Sequence, residues 1–217
     1  MTSVQGVNAP VVVCGGGIVG LATVLAFARS GQSVALLGPR ATFAPADPEV
    51  FYPRVYAISP ATQQFLAGLG VWDMLPAERL TRVEAMEIHG DGDGLLNLSA
   101  WQAAVPELAW IIEANEIERV LSQAVQIFGL PWVNEKFASY APGRLTTDQG
   151  RVMQAELFVA ADGAKSPLRA AAGVTVDERP YGVTALVAHF NCALPHQGVA
   201  LQWFGQDGVL ALLPMPD

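Results

Sequence analysis

The feature that most constrains the fold of this chain is a short apolar strand that runs directly into a glycine-rich turn. Val11–Cys14 is β-branched and uninterrupted by polar residues, the pattern of a buried strand. Gly15-Gly16-Gly17-Ile18-Val19-Gly20 follows it and fits G-x-G-x-x-G. Helical composition extends over Ile18–Ser30 and ends at Gly31, and a second apolar strand is predicted over Ser33–Leu37. Strand, glycine turn, helix and strand in this order predict a βαβ unit that binds a dinucleotide.

Each glycine of the motif has its own expected task. Gly15 permits the tight turn, Gly17 lets the backbone approach a pyrophosphate, and Gly20 lets the helix pack closely on the strand. The amino end of the helix then offers N–H groups and a positive dipole end to phosphates. The alternative is a glycine-rich turn of an α/β fold that binds no ligand.

The acidic residue that usually ends the second strand and binds the adenosine ribose is missing. The sequence there reads Leu36-Leu37-Gly38-Pro39-Arg40, and Gly38 stands near the position of the acid. Arg40 is a candidate for contacting the adenosine end of the cofactor, or else a solvated surface arginine. This departure does not separate NAD from FAD.

A second candidate turn lies near residue 162. The apolar strand Leu157–Ala160 runs into Ala161-Asp162-Gly163, and a short helix follows from Ser166. An Asp at the carboxyl end of a buried parallel strand faces the ligand crevice, where Asp162 can accept hydrogen bonds from a ribityl chain or from water near a pyrophosphate. The alternative is an Asp-Gly turn in which Asp162 only caps the helix.

Composition narrows the class of protein. The chain has 217 residues, 52% of them hydrophobic, and a formal net charge of -8, which gives no electrostatic footprint for nucleic acid. Cys14 and Cys192 are far apart, so a disulfide framework is not expected and a reducing, cytoplasmic compartment is. The uncharged run Pro10–Ala28 lacks a preceding positive region, which argues against a signal peptide. The histidines are too dispersed to predict a metal site.

Elsewhere the pattern predicts an irregular stretch over 39–60 and a series of shorter elements. Helices are predicted over Ala61–Leu69 (capped by Ser59), Asn115–Phe128 and Ser166–Ala172. Strands are predicted over Arg82–His89, Leu95–Leu98, Trp132–Val133, Phe137–Tyr140, Arg144–Thr147, Val152–Ala160, Val183–Phe190, Val199–Phe204 and Gly208–Leu213.

The glycine turn and the segment Leu157–Arg169 together resemble the flavoprotein aromatic hydroxylases. A finer similarity, to the ubiquinone-biosynthesis hydroxylases, is carried by Arg54–Ala61, by Trp110–Glu113 and by the stretch from Thr184 onward, and it extends from about Pro10 to Asp217. Three positions depart from the family pattern: Ala160 replaces a Gly, Lys165 an Asn, and Ala114 the Asn of a Glu-Asn pair. The second flavin motif of the family does not occur in these 217 residues, so we expect the chain to correspond to the amino-terminal half of the family fold.

The resemblance implies an α/β fold. It consists of a Rossmann-like FAD-binding domain, built as a three-layer sandwich, with part of an inserted mixed β-sheet substrate domain. The FAD-binding domain is expected over 1–80 and 105–177, and the partial substrate domain over 81–104 and 178–217.

The resemblance also implies FAD- and NAD(P)H-dependent hydroxylation, by molecular oxygen, of the aromatic ring of a polyprenylated phenol or quinol. The flavin carries the hard chemistry, so no catalytic side chain is assigned. The expected cofactor residues are Gly15, Gly17, Gly20, Arg40, Arg54, Asp162 and Gly163. Two alternatives stay open: a flavin oxidoreductase of another reaction type on the same fold, and a truncated, catalytically incomplete fragment.

The resemblance further implies a cytoplasmic protein, with a peripheral position at the inner membrane face as an expectation. A ubiquinone-biosynthesis complex and a homo-oligomer are the partners that it suggests. No amphipathic anchor is visible in the sequence.

Overall fold

The computed structural model describes residues 7–43 and 50–216. These residues form the strands β1 (Val7–Asn8), β2 (Val11–Cys14), β3 (Val34–Leu37), β4 (Val55–Ile58), β5 (Thr81–Val83), β6 (Ala85–His89), β7 (Leu95–Ser99), β8 (Ala109–Glu113), β9 (Trp132–Val133), β10 (Phe137–Ala141), β11 (Arg144–Thr147), β12 (Val152–Gln154), β13 (Leu157–Ala160), β14 (Val199–Gly205) and β15 (Gly208–Leu212). The α-helices are α1 (Ile18–Arg29), α2 (Pro60–Gly68), α3 (Ala114–Ile127) and α4 (Pro167–Ala171).

The chain divides into two compact units. The first takes in the described residues of Met1–Pro45 and Glu118–Thr184, and the second those of Ala46–Ile117 and Ala185–Asp217. These bounds differ from those of the expected domains, chiefly because residues 50–80 group with the second unit. The division into an FAD-binding and a substrate domain stays a prediction.

A four-stranded parallel sheet forms the centre of the first unit, in the order β13-β2-β3-β9. Every residue of β2 and β3 is buried, as an uninterrupted apolar strand requires when both faces of its sheet are covered. Val13 lies opposite Leu36 and Cys14 opposite Leu37 in the register. The helix α1 packs against both strands, which completes the βαβ unit that the sequence predicts.

A second sheet, in the order β1-β12-β11-β10, lies in the same unit. Leu145 and Met153 from this sheet join one hydrophobic cluster with Val12 and Ala35 of the parallel sheet. Because alternate residues of a strand point to opposite faces, the other face of the parallel sheet is left for α1. The first unit is therefore built of three layers: the helix, the parallel sheet and the second sheet, in which β1 pairs with β12 in parallel and the other neighbours are antiparallel, as the predicted sandwich requires.

The second unit holds two further sheets, in the orders β4-β8-β5 and β15-β14-β6-β7. In the larger one β14 runs parallel to β6, whereas β15 and β7 run antiparallel to their neighbours, so the sheet is mixed. A small core of Val83, Ile111 and Ala200 lies in this unit.

The predicted helices are confirmed to within a residue or two at each end. Ser59 caps α2, since its Oγ accepts a hydrogen bond from the Thr62 amide at 3.3 Å, and Pro60 opens the helix. Ser166 caps α4 in the same way, accepting from Arg169 N at 3.0 Å. Gly31 follows α1 with φ +81°, the conformation expected of a glycine at a helix end.

Four predictions of secondary structure are wrong, three in part and one entirely. The stretch 39–60 was predicted to be irregular but contains β4, which pairs with the unpredicted strand β8; residues 44–49 of the stretch lie outside the described residues. The single strands predicted over Arg82–His89 and Val152–Ala160 are each two strands that belong to different sheets. Val183–Phe190 forms no strand among the described residues, because an extended segment becomes a strand only when a neighbour satisfies its backbone groups.

Candidate functional site

The glycine turn sits at the carboxyl ends of β2 and β13. The Gly15 amide donates to Leu37 O at 2.7 Å, and the Ala161 amide donates to Cys14 O at 2.7 Å. A Cβ on Gly15, which has φ +129°, would lie 2.0 Å from Ala161 O and 2.9 Å from Asp162 N. The structure thus brings the two turns singled out in the sequence into direct backbone contact, which a side chain at residue 15 would prevent.

Gly20 and Gly17 differ in what surrounds them. A Cβ on Gly20 would lie 1.8 Å from Gly15 O, so helix and turn approach each other only because residue 20 is glycine. A Cβ on Gly17 would meet nothing within 4 Å. Gly17 also occupies the N-cap of α1 with φ -86°, a conformation open to any residue, and it has no side chain to cap the first N–H groups. The space beside Gly17 is where a phosphate group can approach those N–H groups.

Gly38 explains why no acidic residue ends β3. A Cβ on Gly38 would lie 2.7 Å from Gly16 N and 3.2 Å from Gly15 C, both of them backbone atoms of the glycine turn. The Gly38 amide donates to Val133 O at 3.1 Å, and its carbonyl accepts from Trp132 Nε1 at 2.9 Å. Residue 38 is therefore fixed on both sides, and the turn leaves no room for a Glu or Asp side chain.

Arg40 lies beside the same turn. Its amide donates to Asn134 Oδ1 at 2.9 Å, and its guanidinium carbon lies 4.8 Å from the centre of the Trp132 ring, within the range of a cation–π contact. With these contacts the side chain forms part of a cleft of about 250 Å³. The cleft is lined by Gly16, Gly17, Pro39, Arg40, Ala41 and Glu118.

Asp162 is engaged with the helix that follows it. Its Oδ1 accepts from Ser166 Oγ, and its Oδ2 accepts from Leu168 N at 3.1 Å. These two bonds realise the capping role that the sequence left open as the alternative. An ionised carboxylate has about four acceptor positions, so the two bonds leave capacity for a further donor. Gly163 follows with φ +95° and open space around its Cβ position.

Cys14 lies at the end of β2, directly before the glycine turn. Burial raises the pKa of its thiol from 9.0 to about 12, and the negative charge of Asp162 adds to the rise. Cys14 is thus a buried, neutral thiol directly below the turn.

Arg54 belongs to the second unit. Its side chain is exposed, with the guanidinium carbon 5.2 Å from the centre of the Tyr56 ring, and its carbonyl accepts from Ala114 N at 2.9 Å. The proposed cofactor role of Arg54 stays a prediction.

A buried ion pair holds the backbone just before Arg54. Glu113 Oε2 accepts from Arg79 Nη1 at 2.9 Å, and Glu113 Oε1 accepts from Tyr52 N at 2.6 Å. The same Arg79 nitrogen donates to Val50 O at 3.0 Å, and its guanidinium carbon lies 4.3 Å from the Phe51 ring. Glu113 belongs to a segment that carries the family resemblance, but the sequence gives no signal for Arg79, which stands in an Ala-Glu-Arg-Leu segment.

The histidines have contacts of other kinds. His89 stacks on Trp203 with ring centroids 5.3 Å apart, His189 meets Phe51 edge-on, and His196 Nδ1 accepts from Gly198 N at 2.9 Å. No group of three or more His, Cys, Asp or Glu residues in 7–43 and 50–216 is arranged to hold a metal ion. Within the same ranges, every helix is too short or too polar to cross a membrane.

Comparison with known proteins agrees with this geometry. The family described as FAD binding domain matches residues 8–215. The ubiquinone hydroxylase UbiL of Rhodospirillum rubrum is 30% identical over 96% of this chain and 49% of its own length. The 3-demethoxyubiquinol 3-hydroxylase of Escherichia coli is 28% identical over 95% of this chain and 54% of its own length. The chain therefore spans about half the length of the curated relatives it matches.

Solved structures show the same fold. A 2-methyl-3-hydroxypyridine-5-carboxylic acid oxygenase superposes with a TM-score of 0.70, covering 98% of this chain and 56% of the oxygenase chain at 19% identity. The flavin-dependent monooxygenase PieE, in complex with FAD and substrate, superposes with a TM-score of 0.59 over 79% of this chain and 33% of its own, at 22% identity.

Proposed function

We propose, on the premise that this chain belongs to the FAD-binding domain family, that it is the cofactor-binding part of a flavin monooxygenase. The reaction we propose is the hydroxylation, with NAD(P)H and molecular oxygen, of the aromatic ring of a polyprenylated phenol or quinol in ubiquinone biosynthesis. The FAD-binding family is shown by the match over residues 8–215. The substrate class rests on the names of the curated relatives, which include a ubiquinone hydroxylase, a 3-demethoxyubiquinol 3-hydroxylase and a ubiquinone biosynthesis monooxygenase.

The observation that carries the cofactor assignment is the meeting of the glycine turn with the Asp162 turn. A dinucleotide needs backbone N–H groups free of side chains at its pyrophosphate, and the open space at Gly17 beside the start of α1 provides them. The cleft next to it carries the positive charge of Arg40, which suits a phosphate. The residues therefore fit a dinucleotide such as FAD.

Each predicted cofactor residue has a proposed task. The N–H groups that follow Gly17 bind the pyrophosphate, while Gly15 and Gly20 allow the close packing that aims them. Arg40 offsets phosphate charge, and Asp162 with Gly163 borders the ribityl side. When bound, the flavin supplies the redox and oxygen chemistry, and the chain supplies binding, orientation and exclusion of water.

The Gly17→Ala variant tests this assignment without disturbing the fold. The added Cβ meets no atom within 4 Å, so the protein folds, but the methyl group occupies the space through which a phosphate approaches. We expect the variant to keep its circular dichroism spectrum and to lose FAD affinity by about tenfold or more, since one charged hydrogen bond is of that order.

The matched control is Gly68→Ala in α2, where an added Cβ also meets nothing within 4 Å. Flavin absorbance after removal of excess FAD, followed by a fluorescence titration, gives both affinities. Equal FAD binding by the wild type and Gly17→Ala would contradict the assignment of the pyrophosphate to this turn.

A catalytically incomplete piece of such an enzyme is the second candidate. It is favoured by the exposure of large apolar side chains beyond residue 180, of which Leu186 is 95% and Phe190 77% exposed. Product analysis with ¹⁸O₂, combined with a measurement of NAD(P)H consumption, separates the three candidates. A monooxygenase places one labelled atom in the ring. A chain that binds FAD and consumes NAD(P)H without labelling the ring is an oxidoreductase of another type, and one that binds FAD but consumes no NAD(P)H is the incomplete piece.

Association with a ubiquinone-biosynthesis complex, with a second copy of the chain or with the inner membrane face remains a prediction from the family.

A further inference from the structure

The cleft beside the glycine turn carries a second charged group, which the sequence did not single out. Arg40 lines one part of it and Glu118, from the first half of α3, another. Both residues belong to the first unit, together with the turn itself. The cleft thus presents a cation, a carboxylate and the start of α1 to the same ligand.

Glu118 occupies an unusual place on its helix. At 100° per residue it lies close in angle to Leu121 and Val125, which are fully buried, and its own side chain is half-buried. The same carboxylate lines the cleft, so the donor groups of a ligand bound there lie beside it.

The dinucleotide fold calls for a carboxylate near this place. The residue that usually supplies it ends the second strand, where this chain has Gly38. A side chain at residue 38 would collide with Gly16 N at 2.7 Å, so the strand cannot supply the acid without displacing the turn. An adenosine ribose bound here would meet its carboxylate on another element or not at all.

We propose that Glu118 takes the place of the missing strand acid and accepts hydrogen bonds from the ribose hydroxyls of the adenosine half of the cofactor. The proposal rests on the proposed binding of FAD. An ionised carboxylate only accepts hydrogen bonds, so it suits the two hydroxyl donors of a ribose and repels phosphate. Charge then orients the ligand: the phosphates face Arg40 and the N–H groups of α1, and the ribose hydroxyls face Glu118.

The test compares ADP with 2′,3′-dideoxyADP, which lacks both hydroxyl donors, by calorimetric titration of the full chain. Since a hydrogen bond to a charged group is worth about tenfold or more in affinity, the wild type is expected to prefer ADP by about that factor. In Glu118→Ala the preference falls to about one, because ADP binds more weakly while the dideoxy nucleotide is unaffected. Glu118→Gln, which keeps one acceptor oxygen, retains part of the preference.

The control variant is Glu156→Ala, which removes an exposed carboxylate of the same unit and leaves the preference unchanged. The proposal is overturned if Glu118→Ala keeps the full preference for ADP. It is also overturned if the variant binds both nucleotides more tightly by the same factor, because the carboxylate would then lie against the phosphates. A parallel titration with FAD separates this failure from that of the proposed function. If the wild type binds FAD but Glu118→Ala keeps the preference, only the ribose assignment falls, whereas a wild type that binds neither FAD nor ADP refutes both.

Discussion

The parallel sheet of the first unit and the mixed sheet of the second are made of similar residues but meet different surroundings. In β3 the sequence Val-Ala-Leu-Leu is buried at every position, whereas in β15 the sequence Gly-Val-Leu-Ala-Leu is exposed at every position. Leu36 is 0% exposed and Leu210 56%. Apolar composition therefore predicts that a segment forms a strand, and the layers on either side decide whether that strand is a core.

The same contrast holds at the level of layers. One face of the parallel sheet packs on β11 and β12 through Leu145 and Met153, and α1 packs on the strands from within the same unit. The mixed sheet has β15 at one edge and β7 at the other, and both edge strands carry exposed leucines. The described residues thus cover both faces of the parallel sheet but leave the mixed sheet of the second unit with uncovered apolar surface.

The largest expected effect is a difference in alkylation rate between the two cysteines. Burial, and then the charge of Asp162, raises the pKa of the Cys14 thiol to about 12, so Cys14 forms about a thousandfold less thiolate than at its ordinary value of 9.0. Cys192 is exposed in the other unit. Iodoacetamide at pH 8 followed by mass spectrometry is expected to label Cys192 and spare Cys14. Equal labelling of the two cysteines would mean that Cys14 and the end of β2 are not buried in solution.

Truncation of leucines compares the two sheets directly. Leu36→Ala leaves a cavity in a fully buried strand and is expected to lower the free energy of unfolding by about 3–5 kcal/mol. Leu210→Ala, at a position more than half exposed, is expected to cost less than about 1 kcal/mol. Urea denaturation measures both, and similar costs would show that β15 is covered in solution.

The Arg79–Glu113 pair tests whether the second unit depends on polar contacts where its apolar core is small. Glu113→Ala leaves the buried guanidinium without its carboxylate and frees Tyr52 N, with an expected loss of about 3 kcal/mol. Glu84→Ala, at an exposed carboxylate of the same unit, is the control. If the two variants melt at the same temperature, the Arg79–Glu113 pair does not stabilise residues 50–52.

The smallest expected effect is a pH dependence in the first unit. Burial works to raise the pKa of Glu135, but hydrogen bonds from Arg151 (3.0 Å) and Thr147 (2.5 Å) outweigh it and hold the pKa below its ordinary value of 4.5. A depressed folded-state pKa stabilises the protein above the unfolded-state value, and the stabilisation is lost as the pH falls through the folded-state pKa.

Wild type is therefore expected to exceed Glu135→Gln in stability at pH 7. The difference is expected to shrink as the pH falls below the ordinary carboxyl pKa and to vanish only below the lowered folded-state pKa. Urea denaturation across this range measures it. A difference that is constant with pH would show that the carboxylate charge contributes nothing.

Much of the first unit was predictable, because its signals are local. The glycine spacing, the apolar runs of β2 and β3, and Gly31 after α1 each constrain their own backbone within a few residues. The division of Val152–Ala160 into β12 and β13 was not predictable, since both halves are apolar enough for one strand and only their partners differ. The strand predicted over Val183–Phe190 failed for the converse reason, because strand pairing depends on a neighbour that a local pattern cannot reveal.

The sequence by itself determined that a strand, a glycine turn and a helix form a dinucleotide-binding unit, since glycine is required wherever backbones must touch. Only the tertiary structure decided that Gly15 meets Ala161, that Gly38 leaves no room for an acid, and that Glu118 reaches the same cleft from a helix some eighty residues away in sequence. The physical reason is that the conformation of a turn depends on residues that are neighbours in sequence. The charged groups around a ligand come from distant segments, which only the packing of the fold brings together.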